Sequence, residues 1–95
     1  MLVRLDDRAT RDIADIYDYL IERNRAAAFR VRRAIGEHAA LLVDHPELGR
    51  PGRAPDTREL VVARTPYILV YRIERDSVVI TRILHGARRW PEEFS

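Results

Sequence analysis

The residues with the most chemical capacity lie near the C-terminus. His85 follows an apolar, β-branched run and precedes Gly86, Arg88, Arg89 and Trp90. An imidazole moves protons near neutral pH, guanidinium groups stabilise phosphorane-like charge, and an indole stacks on a base. That combination suits RNA cleavage. It equally suits a protein interface, where Trp and Arg are the commonest anchors. A third reading is structural: Trp90 packs on helices and His85 bonds the backbone. Sequence alone leaves the three open.

Other candidates are arginines. Arg50 and Arg53 flank Gly52 in a loop, and glycine lets backbone approach a phosphate closely. Arg58 and Arg64 bracket a short apolar run. Arg72 and Arg82 fall on neighbouring runs, as a basic pair or as partners for Glu59 and Glu74. His38 borders an apolar helical stripe and His45 precedes a proline, which gives both structural roles. Three scattered histidines make no metal site. P-loop, dinucleotide, serine-hydrolase and zinc-protease motifs are absent. No cofactor and no metal are expected.

Composition narrows the class further. All 17 basic residues are Arg, which excludes a lysine base or Schiff base. With no cysteine there is no disulfide, thiol nucleophile or thiolate metal site, which fits a cytoplasmic protein. No secretory h-region opens the chain, and no apolar run nears the ~18 residues of a membrane span. The net charge of +2 hides segregation. Residues 1–22 carry three Arg and six acids, 23–33 five Arg and no acid, and 50–90 nine Arg and four acids. The basic segments suit an acidic or polyanionic partner, or form a solvated surface.

The 95 residues predict a single domain, 1–95, and a modest core that buries roughly 60% of the unfolded chain's surface. Val3 to Leu5 predicts a short edge strand, and Asp6 or Asp7 a helix N-cap. Ala9, Ile13, Ile16, Tyr17 and Leu20 recur at helical spacing and predict a helix over 7–22 with acids on its outer face. Asn24 breaks it in a left-handed conformation. A second helix over 25–44 carries a stripe of Ala28, Val31, Ile35, Ala39 and Leu42, widened by Ala27, Ala34 and Leu41. Pro46 ends it. Residues 45–57, with three prolines and two glycines, read as a loop. Strands follow over Glu59–Ala63, Tyr67–Ile73 and Ser77–Leu84, with a tight turn at Glu74–Asp76. The class is α+β, with the order β-α-α-β-β-β. A helical hairpin covers one face of a mainly antiparallel sheet, and the other face is partly polar.

These elements carry a family likeness. The segments "A..DI.DIYDYL...N..AA", "HPELGRPGR", "TRELVV..TPYILVYRI" and "VVITRILHGARRWP" together resemble the RelE/ParE superfamily of bacterial type II toxins. The likeness runs from Ala9 to Pro91. It implies a toxin neutralised by a cognate antitoxin whose C-terminal segment wraps it, with operator DNA contacted only through the antitoxin. RelE-like members cut mRNA on the ribosome without metal, whereas ParE-like members poison DNA gyrase. RelE-like enzymes commonly place an Arg where this chain has Ile68, and some place lysines where it has Val61, Val62 and Ala63. Arg88 matches a basic position after the last strand, and Phe94 stands near the place of a tyrosine. The resemblance thus leans to the ParE-like, gyrase-directed branch. The alternatives are an mRNA endoribonuclease, with His85, Arg88, Arg82 and Arg64 as a rearranged catalytic set, and a degenerate antitoxin-binding module. For a binding role, the residues toward target or antitoxin are Arg50, Arg53, Arg58, Arg88, Arg89 and Trp90.

Overall fold

In the computed structural model, which describes residues 1–86, the chain begins with strand β1 (Leu2–Leu5). Asp6 then caps helix α1 (Asp7–Arg23), its carboxylate accepting the Ala9 N–H at 3.1 Å. Asn24 joins α1 to helix α2 (Arg25–Asp44) and serves both. Its N–H closes α1 on the Leu20 carbonyl, and its side chain accepts the Ala27 N–H at 3.0 Å. The expected left-handed break is corrected here. Asn24 is extended (φ −157°) because an N-cap takes β-region dihedrals.

The sheet has five strands in the order β1-β5-β4-β3-β2. They are β2 (Arg50–Pro51), β3 (Arg58–Val61), β4 (Tyr67–Ile73) and β5 (Ser77–His85). Strand β1 pairs parallel with β5 at the edge, and the remaining pairs are antiparallel. The two-residue β2 was hidden inside the expected loop. It forms because Gly49 passes directly over Tyr71. A Cβ there would lie 2.8 Å from the Glu59 carbonyl and the Tyr71 phenol. Gly52 also works within the fold. Its N–H bonds the Thr57 carbonyl at 2.7 Å and its Cα abuts that residue, closing the β2–β3 hairpin.

The helical hairpin packs its apolar stripe onto one sheet face. Ala9, Val31, Ile35 and Leu42 meet Leu69, Tyr71, Val78 and Ile80, with Ile13, Ile16 and Leu20 alongside. Leu41, expected in the stripe, is 45% exposed. The other face is less polar than expected. Ile68, Val70 and Leu84 form a second buried cluster. The unbroken run from Tyr67 to Tyr71 supplies both faces of β4, as continuous apolar strands do. Arg72 and Glu74 do stay at the surface and pair with each other at 3.0 Å. That hydrogen bond holds the Glu74 carboxyl below the usual carboxylate range. No described helix is long and apolar enough to cross a membrane.

Two polar clips hold the loops. His38 Nδ1 lies 2.7 Å from the Ala34 carbonyl, and its Nε2 accepts the Ala63 N–H at 3.1 Å. This geometry requires the neutral Nδ1–H tautomer and gives His38 the structural role expected of it. The Tyr71 phenol donates to the Pro46 carbonyl and accepts the Gly49 N–H, both at 2.8 Å. Tyr71→Phe leaves both backbone groups unpaired and should cost about 1–3 kcal/mol in a urea titration. Burial raises the Tyr71 phenol above the ordinary tyrosine value, and the Tyr67 phenol likewise. Because the fold favours the neutral phenols, their contribution is complete below the unfolded tyrosine pKa of about 10 and is lost as pH rises past it. Thermal scans from neutral pH upward should show the melting temperature falling only above that point.

Candidate functional site

Helical spacing builds one wall of the principal cleft. Arg8, Asp12, Asp15, Ile16 and Tyr19 recur three or four residues apart along α1, with Arg11 beside them. The facing wall is the open end of the sheet: Tyr67 at the start of β4, and Arg82, Ile83 and His85 at the end of β5. Strand β1 pairs only with Ser77 to Ile80. Beyond that point the β5 edge has no neighbouring strand among the described residues, and there a cleft of about 700 Å³ lies between it and α1.

Asp12 closes the exposed strand edge. Its carboxylate accepts the Ile83 N–H at 2.9 Å and two hydrogen bonds from the Arg82 guanidinium, at 2.7 and 3.2 Å. The Arg82 and Asp12 side chains are only 8% and 15% exposed. This bidentate pair is therefore mostly desolvated. The expectation that the acids of α1 lie on its outer face is corrected at Asp12, which turns inward because a bare strand N–H and a buried cation need an acceptor. Asp15 lines the same cleft.

The rest of the cleft is aromatic and basic. The Tyr67 and His85 rings meet edge to face, with centroids 5.7 Å apart. Burial, and then the nearby Tyr19, push the Tyr67 phenol up, so it stays protonated at neutral pH and can donate but not act as a base. His85 lines this cleft beside Tyr67, and Arg8 and Arg11 line it from the helical wall. Among the described residues no group of His, Asp and Glu is arranged to hold a metal ion.

The arginines singled out from sequence do not form one patch. Arg82 and His85 share the cleft. Arg64 lies at the same end of the sheet, in the β3–β4 turn, with a left-handed backbone (φ 66°). At the opposite end, Arg50 and Arg53 serve the fully buried Glu59. Its carboxylate accepts from Arg50 Nη2 at 3.1 Å and from the Arg53 backbone N–H at 2.7 Å. Arg53 Nε stands 3.6 Å from the same carboxylate. Arg58 Nη1 donates to the Gly49 and Glu47 carbonyls. Three residues expected to face a partner thus hold the β2–β3 hairpin. Arg88, Arg89 and Trp90 lie outside the described residues. Sequence reading passed over Arg8, Arg11, Asp12, Tyr19 and Tyr67. The available signal was the row Ala9, Asp12, Ile16, Tyr19, which puts an acid on the apolar side of α1.

Removing one partner of the central pair has a predictable cost. Asp12→Ala leaves the Arg82 guanidinium buried without its carboxylate and should destabilise by about 3 kcal/mol. The double variant Asp12→Ala/Arg82→Met should recover a large part of that loss. A double-mutant cycle by urea unfolding measures both.

The family model for the ParE toxin of type II toxin-antitoxin systems, parDE, matches residues 3–90. Protein Y4kP of Sinorhizobium fredii is 41% identical over 90 residues, covering 95% of this chain and 93% of its own. Toxin RelE3 of Caulobacter vibrioides is 38% identical over 89 residues, covering 92% and 96%. Among solved structures, a chain of the chromosomal ParDE system from P. aeruginosa superposes with a TM-score of 0.80 at 26% identity, covering 90% of this chain and 95% of that one. The isolated E. coli RelE toxin shares the fold, with a TM-score of 0.65 at 16% identity over 98% and 90%. A helical hairpin on a mixed sheet and a family match across nearly the whole described chain lead to one assignment: this protein belongs to the ParE toxins of type II toxin-antitoxin systems, within the RelE/ParE superfamily.

Proposed function

We propose that this toxin arrests growth through DNA gyrase, acts in the cytoplasm, and is neutralised by a cognate antitoxin that wraps it. The observation that carries this reading is the hydrocarbon in the middle of the sheet. Ile68, which by the family resemblance stands where nuclease members commonly carry an Arg, is buried at 6% exposure, and Val61, Val62 and Ala63, where some members carry lysines, offer no cation. A phosphoryl-transfer site without those donors loses on the order of 10²–10³ in rate for each one removed. Arg82 does not replace them, since its guanidinium fork is engaged by Asp12. An acidic antitoxin segment, folding as it binds, suits a chain of formal net charge +2. In this reading sequence-specific contact with operator DNA comes from the antitoxin.

One observation favours the ribosome-dependent mRNA endoribonuclease instead. His85 shares a cleft with a protonated phenol and two helical arginines. In that case His85, Arg82 and Arg64, with Arg88, form the catalytic set. In the gyrase reading none of them touches a reacting phosphate.

Induction of the chain alone separates the readings. Continued translation with filamentation, a DNA-damage response and trapped gyrase–DNA complexes is the expected result. Rapid translation arrest with mRNA cut within codons would overturn it, and unhindered growth would reduce the protein to an antitoxin-binding module. The variant His85→Gln should leave growth arrest intact. A nuclease that relies on this imidazole should instead lose 10²–10⁴ in rate, on the order seen when a general acid–base is removed.

A further inference from the structure

The most basic stretch of the sequence takes no part in the cleft or in the buried ion pairs. Residues 23–33 hold five arginines and no acid. All five are exposed around the tip of the helical hairpin. On α2, Arg25, Phe29 and Arg33 follow one another at four-residue spacing and so share a line, with Arg30 flanking it. At 1.5 Å per residue, Arg25 to Arg33 spans about 12 Å. Arg23 stacks over the Tyr19 ring at 3.7 Å, and Arg32 stands over Tyr17 at 5.4 Å. These rings hold two further guanidinium groups in place.

This cluster works against the helix that carries it. The first turn of α2 has no acid and begins with Arg25, against the positive end of the helix dipole. Arg30 and Arg33 are like charges three residues apart, which also destabilises. None of Arg25, Arg30 and Arg33 has an ion-pair partner within 4.0 Å among the described residues. The acids nearest in the helical pattern, Glu37 on α2 and Asp18 and Glu22 on α1, are exposed and form no such pair. A surface that opposes its own helix and lacks internal neutralisation is complementary to an external polyanion.

We infer that the outer face of the helical hairpin, centred on Arg25, Arg30 and Arg33, binds the phosphate backbone of duplex DNA without regard to sequence. Guanidinium groups pair bidentately with phosphate, and the regular spacing of phosphates suits a regular helical row. This goes beyond the function proposed above, in which DNA is read only by the antitoxin. It gives the toxin its own hold on the duplex.

The test is fluorescence anisotropy of the full chain with a 30-base-pair duplex of arbitrary sequence, at salt from 50 to 200 mM. Neutralising three phosphates gives a slope of about −2.7 for log affinity against log salt. The variant Arg30→Ala/Arg33→Ala should bring the slope to about −0.9, while Arg75→Ala, in the β4–β5 turn, should leave it unchanged. Circular dichroism checks that helix content is kept, as expected for Arg to Ala on an exposed helix face. Absence of duplex binding at 50 mM salt would overturn the inference, as would a slope that ignores the double variant. Equal affinity for polyglutamate, with the same dependence on Arg30 and Arg33, would also overturn it and assign the face to an acidic protein.

Discussion

Asp12 holds helix α1 to the half of β5 that β1 leaves bare, and the architecture of the candidate site depends on that contact. Strand β1 is only four residues long and stops at Ile80. Without an acceptor at Ile83, β5 would present an unpaired N–H beside a buried guanidinium. One carboxylate serves both groups. It also sets the width of the cleft, because α1 is docked on the sheet end by a polar contact as well as by Ala9 and Ile16. The wall carrying Arg8, Arg11 and Tyr19 thereby faces Tyr67 and His85 across the cleft.

The same contact decides which cations remain available. Arginine in this chain has two uses. Arg50, Arg53, Arg58 and Arg82 bind carboxylates or carbonyls of their own fold. Arg25, Arg30 and Arg33 project from the helical hairpin with no such partner within the described residues. A linear charge count cannot separate these uses. Within residues 50–90, Arg50 and Arg53 share the buried carboxylate of Glu59, and Arg82 is matched by Asp12 from outside the segment.

Much of the fold was legible from sequence because helices are local. The N-cap at Asp6, the stripe from Val31 to Leu42 and the interruption at Asn24 all depend on residues within a few positions of one another. Strands β4 and β5 were equally plain, since β-branched and aromatic runs flank a short turn. Strand β2 was not legible, because Arg50 and Pro51 have no strand pattern of their own. They pair only because Tyr71, twenty-two residues beyond Gly49, fixes the approach. Strand β3 shows the same limit in reverse. Its apolar run continues to Ala63, but Val62 turns to bond Tyr67, and the strand ends at Val61.

The site was less legible than the fold for a related reason. His85 and Arg82 stood out by residue type, whereas Asp12 looked like one of several surface acids on an amphipathic helix. Its place in the row from Ala9 to Tyr19 gave it away only once the sheet end opposite was known to be bare. A buried carboxylate is informative in a way that an exposed arginine is not, because burial without compensation is too costly to persist. Locating Asp12 and Glu59 therefore identifies the arginines committed to folding. Among the described residues it also separates them from Arg25, Arg30 and Arg33 of the helical hairpin, which no carboxylate holds.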